Sequence, residues 1–233
     1  MRLLASSPVG FEFYFSDRSD GDARSPLTMV NAYFRHLDRP LDVVIARVSQ
    51  THSASVLVVP AEPFDRDCAG SYVTLGQGDA IVSVRDDLAA AILVADCAPV
   101  ALFDTRRGIN AVVHCGWRGT ALGIISKTIS VMRNLGASDI TAVVGPHAGP
   151  CCYEFSPVDI LELNETLGVS VGATTRANTE SLDILLALGS QFDHLGVTLG
   201  SSRPPCTICD AGFYSYRNGD TLARQALIMV PVR

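Results

Sequence analysis

The stretch 109-INAVVHCGWRGTALGIISKTISVMRNLG-136 changes its period halfway along. Its first seven residues are a short, β-branched apolar run, as expected of a buried strand. Glycines then bracket Trp117 and Arg118. Beyond them, Ile125, Ile129, Met132 and Leu135 recur at helical spacing, and Gly136 is a suitable residue to follow a helix C-terminus. A strand therefore ends at His114 and a helix begins soon after. Working outward, AAAILVADCAPVALFD (89–104) is strand-like, with Pro99 implying a break near Cys97. The 109–115 strand is expected to hairpin back on it through Thr105 to Gly108. DVVIARVSQTH (42–52), SVLVVP (55–60), DAIVSV (79–84), TAVVGP (141–146), GFYSYR (212–217) and ALIMV (226–230) are the other expected strands, with a tight connection between the first two. Helices are expected after Ser25-Pro26, with Val30, Phe34 and Leu37 on one face, after Ser156-Pro157, and over 179–195 up to Gly196. Strands and helices do not alternate in βαβ rotation, so an α+β layered sandwich fits better than a doubly wound sheet. No repeat, linker or low-complexity tract divides residues 1–233, which form one expected domain.

The chain has 233 residues, 48% of them hydrophobic, which is ample for a core and excludes a disordered chain. No apolar run approaches the roughly 18 residues of a membrane span, and MRLLASSPVGFEFYF lacks the long apolar region of a secretory signal. A net charge of −6 argues against nonspecific nucleic-acid binding. Lys127 is the sole lysine, so the cations are almost all arginines, suited to bidentate anion contacts. Seven cysteines without an export signal fit a reduced, cytoplasmic compartment, where metal binding or catalysis is expected rather than disulfides.

His52, Cys97 and His114 each fall at or near the end of an expected strand, where residues distant in sequence converge. Two imidazoles and one thiolate suit tetrahedral zinc with its fourth position open; the bland alternative leaves Cys97 an ordinary buried thiol. Cys115, next to His114 on an alternating strand, points to the opposite face and belongs to the core. Arg118, in a glycine-flanked turn opening a helix, is a candidate anion contact, as are the first-turn amides. Arg217 is a second candidate cation, and His147 is either a pocket residue or exposed. His36 and His194 fall on helices as surface histidines. Asp96 either orients Cys97 or faces away. Adjacent cysteines rarely serve one small metal site, so Cys151, Cys152, Cys206 and Cys209 form a four-cysteine zinc site only as a minor alternative.

In this order, ADCAPV, VVHCGWRGTALGI, GPHAGPCCYEF and CTICDAGFYSYR, with QTHS before them, resemble the laccase-domain family. That family is described both as multicopper polyphenol oxidoreductases and as purine nucleoside phosphorylases. The resemblance spans about residues 43 to 230 and implies a four-layer α/β/β/α sandwich of two mixed sheets. It implies metal ligation by His52, Cys97 and His114, with zinc as the metal and copper as the alternative. It implies phosphorolysis of adenosine, inosine or methylthioadenosine, with nucleoside and phosphate as small-molecule partners, and adenosine deamination. An amidase-like hydrolase acting on peptidoglycan precursors, with Cys97 as nucleophile and His114 or His52 as base, is the alternative activity. Three ligands from one trio do not supply the several copper centres of a polyphenol oxidase. Departures from the family pattern are Ser53 for a glycine, Cys115 for an alanine, and a shortened N-terminal segment, FSDRSDGDARSP, ahead of Asn31-Ala32. They keep open a third alternative, a degenerate non-catalytic metal-binding relative.

Overall fold

The computed structural model describes residues 2–6, 10–25, 28, 44–60, 72–200 and 203–231. The helix expected after Ser25-Pro26, with Val30, Phe34, Leu37 and His36, and the Asn31-Ala32 pair lie outside the described residues, apart from single positions.

Two mixed six-stranded sheets dominate. The first runs in the order β1 (Arg2–Ser6), β2 (Phe11–Phe15), β14 (Gln225–Pro231), β7 (Leu88–Val94), β3 (Val44–Ser49), β5 (Tyr72–Gln77). The second runs β13 (Thr198–Leu199), β10 (Thr141–Val144), β8 (Ala98–Asp104), β9 (Ile109–Cys115), β6 (Ala80–Ser83), β4 (Val56–Val58). A two-stranded ribbon, β11 (Gly172–Thr174) with β12 (Glu180–Leu182), completes the strands. The helices α1 (Trp117–Ala121), α2 (Ile124–Asn134), α3 (Pro157–Leu167) and α4 (Ile184–Leu195) accompany the second sheet. The protein is thus a mixed α+β domain with two mixed sheets and few helices.

Alternation along β7, β8 and β9 sorts the core into layers. Leu88, Ala90, Ile92 and Val94 of β7 meet Ala101, Phe103 and Val112 between the sheets, with Phe13, Phe15 and Met229. The opposite face of the second sheet, through Val100, Leu102, Val113 and Cys115, packs on Ile125, Ile129 and Met132 of α2 and Ala187, Leu188 and Phe192 of α4. These side chains are almost wholly buried, each apolar one contributing about 1.5–3 kcal/mol of transfer free energy.

Several local expectations change. The helix expected to reach Leu135 is interrupted: α1 is capped by Leu122, and Gly123, at φ +79°, opens α2. The expected 179–195 helix begins only after Asp183, whose side chain accepts from Leu186 N at 3.0 Å; residues ahead of it pair as β12. Residues 212–217 are not a strand. Their amides bond to side chains instead of a ladder: Tyr214 N to Gln225, Ser215 N to Asp220 and Arg217 N to Asp96. The 89–104 run splits two residues before Pro99, at Ala95 to Cys97, and the expected β8–β9 hairpin pairs Pro99 with His114.

That split, like the short 50–55 connection, has an architectural meaning. β3 and β7 belong to the first sheet, β4 and β8 to the second. The chain therefore crosses between sheets at both places, and the crossings carry His52 and Cys97. Among described non-glycine residues, positive φ occurs at His52 (57°), Asp96 (80°) and Asn178 (61°). Two of these three left-handed residues, a conformation uncommon without glycine, lie in the crossings.

Candidate metal centre and its cavity

Strand polarity brings His52, Cys97 and His114 to one end of the space between the sheets. His114 occupies the penultimate position of β9, its side chain on the same face as Val112, and is buried. Cys115 turns into the helix-side core, fully buried, as alternation requires. The ligand atoms of the trio all lie within 4.8 Å of one another. Cys97 Sγ is 3.9 Å from His52 Nε2, and the two imidazoles meet edge to face with centroids 4.7 Å apart. Gly116 leaves this approach clear: a Cβ there would stand 3.1 Å from both Cys97 Sγ and His52 Cδ2.

Asp79, just before β6, organises the trio, and the sequence reading did not identify it. Its Oδ1 accepts from His52 N at 3.0 Å and sits 2.8 Å from His114 Nδ1. Its Oδ2 accepts from Ser53 N at 2.7 Å, Ser53 Oγ at 2.8 Å, Thr51 Oγ1 at 3.2 Å and Thr51 N at 3.3 Å. One buried carboxylate thus shapes the 50–55 crossing and holds the His114 ring. With Nδ1–H donated to Asp79, Nε2 of His114 is left to face the trio. Ser53, a departure from the family pattern, is accommodated as two further donors to this carboxylate.

Charge follows from this arrangement. Burial opposes ionisation of Asp79, but hydrogen bonds from His114 and Ser53 outweigh it and hold the carboxyl well below its usual range. Burial likewise opposes a charged Cys97, yet attraction to His114 and hydrogen bonds from both histidines bring the thiol down to about 6. Burial lowers His114, while Cys97 and Asp79 together raise it to about 9. A thiolate is the metal-binding form of cysteine. Two imidazoles and one thiolate, with no fourth protein donor among the described residues, match the open tetrahedral pattern of a catalytic zinc site.

The trio lines a cavity of about 820 Å³, in the size range of small-molecule sites. Its rim is cationic: Arg24, Arg47, Arg118, Arg217 and Arg224 all line it. Arg224 is spent on backbone carbonyls of its own turn, and Arg24 pairs with Asp22. Arg217 donates Nη1 to Glu154 O at 2.9 Å and stacks over Tyr153. Arg118 is exposed; its guanidinium lies 4.3 Å from the Trp117 ring centroid and makes no hydrogen bond or ion pair to the described residues. Since α1 is a single short turn, the anion expectation rests on this side chain and not on a helix end. Arg24 belongs to the shortened N-terminal segment, so that segment does reach the cavity wall.

His147 is not part of the cavity lining. It is buried, with Nδ1 2.9 Å from Gly145 O, and burial depresses its basicity; the pocket expectation is corrected to a packing role, and it is not exposed either. Asp96 faces away from Cys97. It accepts from Thr207 Oγ1 at 2.6 Å, Arg217 N at 2.7 Å and Ser215 Oγ at 3.1 Å, fastening the C-terminal segment to the β7–β8 crossing. His194 is exposed, as expected. Tyr153, also unidentified from sequence, is buried against the cavity; burial keeps its phenol protonated far above neutrality.

Among the described residues no helix is long and apolar enough to cross a membrane. A purine nucleoside phosphorylase of Corynebacterium glutamicum is 35% identical over 230 residues, covering 91% of each chain. Another, of Streptomyces coelicolor, is 32% identical over 235 residues, covering 93% of this chain and 94% of its own. The hypothetical protein YfiH of Bacillus licheniformis superposes with a TM-score of 0.75 over 97% of both chains at 22% identity. The protein NMB0706 of Neisseria meningitidis gives 0.75 at 20% identity, covering 100% of this chain and 99% of its own. Residues 13–231 match the family model described as multi-copper polyphenol oxidoreductase laccase, and with relatives of this similarity along nearly its whole length the chain belongs to that family.

Proposed function

We propose that the protein is a zinc-dependent purine nucleoside phosphorylase acting on adenosine, inosine or methylthioadenosine, with adenosine deamination as a companion activity. The observation that carries this reading is the placement of the His52, Cys97 and His114 donor set inside an arginine-rimmed cavity large enough for a nucleoside and phosphate together. The names of the Corynebacterium and Streptomyces relatives support the substrate class. Zinc, when bound, would supply a Lewis acid and an activated water at the cavity floor. Arg118, without a hydrogen-bond or ion-pair partner among the described residues, binds the phosphate; Arg217, anchored by one nitrogen, is the supporting cation. Trp117 and Tyr153 give flat walls for a purine, and the Tyr153 hydroxyl offers a neutral donor to a ring nitrogen. A phosphate oxygen bonds the ribose C1′ as the C1′–N9 bond breaks; the base leaves, protonated, as free purine, and the sugar as ribose 1-phosphate, or as 5-methylthioribose 1-phosphate from methylthioadenosine. The test incubates zinc-loaded protein with each nucleoside and phosphate and separates the products. Adenine or hypoxanthine with the corresponding sugar 1-phosphate, lost in His114→Ala, is the expected result; no purine release and no inosine from adenosine would overturn the proposal.

A second reading has its own observation. Cys97, His114 and Asp79 line up as thiolate, imidazole and carboxylate, with a 2.8 Å His114–Asp79 contact, as in a cysteine hydrolase of amidase type. Chelation separates the two. A hydrolase survives removal of metal and is blocked by alkylation of Cys97; the phosphorylase loses activity on chelation and regains it with zinc.

A further inference from the structure

We propose that Cys151, Cys152, Cys206 and Cys209 hold a second, structural zinc ion that staples the two loops carrying Tyr153 and Arg217 to the cavity. The four thiol sulfurs lie within 4.8 Å of one another. Cys209 Sγ is 3.4 Å from Cys151 Sγ and 2.9 Å from Cys152 Sγ. Four sulfurs around one zinc at about 2.3 Å stand a little under 4 Å apart, so the cluster needs only a small expansion to close on the ion. Cys206 Sγ also accepts the amide of Gly149 at 3.2 Å, an N–H donor that stabilises a thiolate. With four protein sulfurs and no open position, the site is of the closed, structural kind, unlike the trio.

The sequence argument against adjacent cysteines fails here for a local reason. On a strand, neighbours point to opposite faces. Cys151 and Cys152 instead sit in a turn, closed by Cys152 N and Tyr153 N both donating to Gly149 O, so both thiols reach the same side. Cys206 and Cys209 follow in a second turn, in which Asp210 N donates to Cys206 O. Cys209 stands near both members of the pair, so the arrangement does not single out one disulfide.

Position gives the ion its role. Tyr153 follows the first pair directly and enters the cavity. The second pair flanks Thr207, which bonds Asp96 beside Cys97, and precedes the turn that delivers Arg217. The staple therefore fixes the loops that bring Tyr153 and Arg217 to the cavity, and none of its four cysteines lines that cavity. On binding, zinc displaces the thiol protons and leaves a dianionic tetrathiolate.

The test counts metal per chain in protein prepared under reducing conditions with zinc. Wild type is expected to hold two zinc ions, Cys206→Ser/Cys209→Ser one, and His52→Ala/His114→Ala one. Replacement by cobalt in the His52→Ala/His114→Ala variant is expected to give the intense thiolate-to-metal charge transfer of a four-sulfur site. This variant also separates the staple from the phosphorylase proposal, because it lacks the trio. If the double cysteine variant does not fold, wild type and the double histidine variant still decide the matter. One zinc in wild type and none in the histidine variant would overturn the proposal. So would disulfides among these four cysteines in freshly reduced, zinc-equilibrated protein.

Discussion

Replacing Asp79 by Asn changes one oxygen of a buried carboxylate into an NH2 group and should separate metal affinity from fold. If the amide nitrogen takes the Oδ2 position, it faces the amides of Ser53 and Thr51, now at 2.7 and 3.3 Å from an acceptor. If it takes the Oδ1 position, it faces His52 N and His114 Nδ1. His114 escapes that clash only by shifting its proton to Nε2, the nitrogen that the metal requires. One or two donors are stranded, at about 1–3 kcal/mol each, so a stability loss of about 1–4 kcal/mol is expected after some relaxation. Loss of a carboxylate behind a ligating histidine costs about 10–100-fold in metal affinity. The assays are urea unfolding of the metal-free proteins and zinc competition against a chromophoric chelator. Because the first orientation keeps an oxygen on His114 Nδ1, Asp79→Ala is decisive: zinc affinity within about threefold of wild type in that variant would refute the claim that Asp79 sets the His114 tautomer, since that role demands at least about a tenfold change. Asp79→Ala, which strands every donor, should weaken zinc further in the same direction.

Arg118→Ala should raise the KM for phosphate by about 10- to 150-fold, equivalent to about 1.5–3 kcal/mol for a hydrogen bond to a charged group; steady-state kinetics at varied phosphate check it, and Arg118→Lys should recover only part because the fork is lost. Gly116→Ala places a methyl 3.1 Å from Cys97 Sγ and His52 Cδ2, so zinc affinity should fall while the unfolding midpoint of the metal-free protein changes little; an unchanged affinity would show that the trio has room to spare. Asp104 offers a pH test away from the site. Burial opposes its charge, but the amides of Asp139, Ser138, Arg107 and Arg106 outweigh that and lower its pKa. A folded pKa below the unfolded value contributes stability above about pH 4 and loses it as pH falls through the folded pKa. Asp104→Asn should therefore cost about 2–3 kcal/mol at neutral pH, with the gap to wild type narrowing in acid, as measured by unfolding at several pH values.

What the sequence revealed and concealed follows from the range of the interactions involved. Alternation along 109–115 is local, so it sent His114 and Cys115 to opposite faces correctly: His114 sits with Val112 towards the inter-sheet space and Cys115 with Val113 against α2. Strand ends are local too, which is why His52 and Cys97 stood out. Alternation does not say which sheet a strand joins, so neither the 50–55 connection nor the break at Ala95 to Cys97 disclosed itself as a crossing between sheets. The groups that hold those crossings are distant in sequence. Asp79 bonds His114 across 35 residues, and Asp96 bonds Thr207 across 111 and Arg217 across 121. In the sequence Asp79 resembles nothing more than the polar residue before a buried strand, and 212–217 resembles a strand because its aromatics alternate. Its amides are instead claimed by carboxylates and an amide side chain, and that claim carries Arg217 to the cavity. At Cys151 and Cys152 strand alternation does not apply, because they sit in a turn, where neighbouring side chains are free to share a side. The candidate metal ligands are thus legible from strand ends, whereas the carboxylates that aim them become visible only when the two sheets are closed against each other.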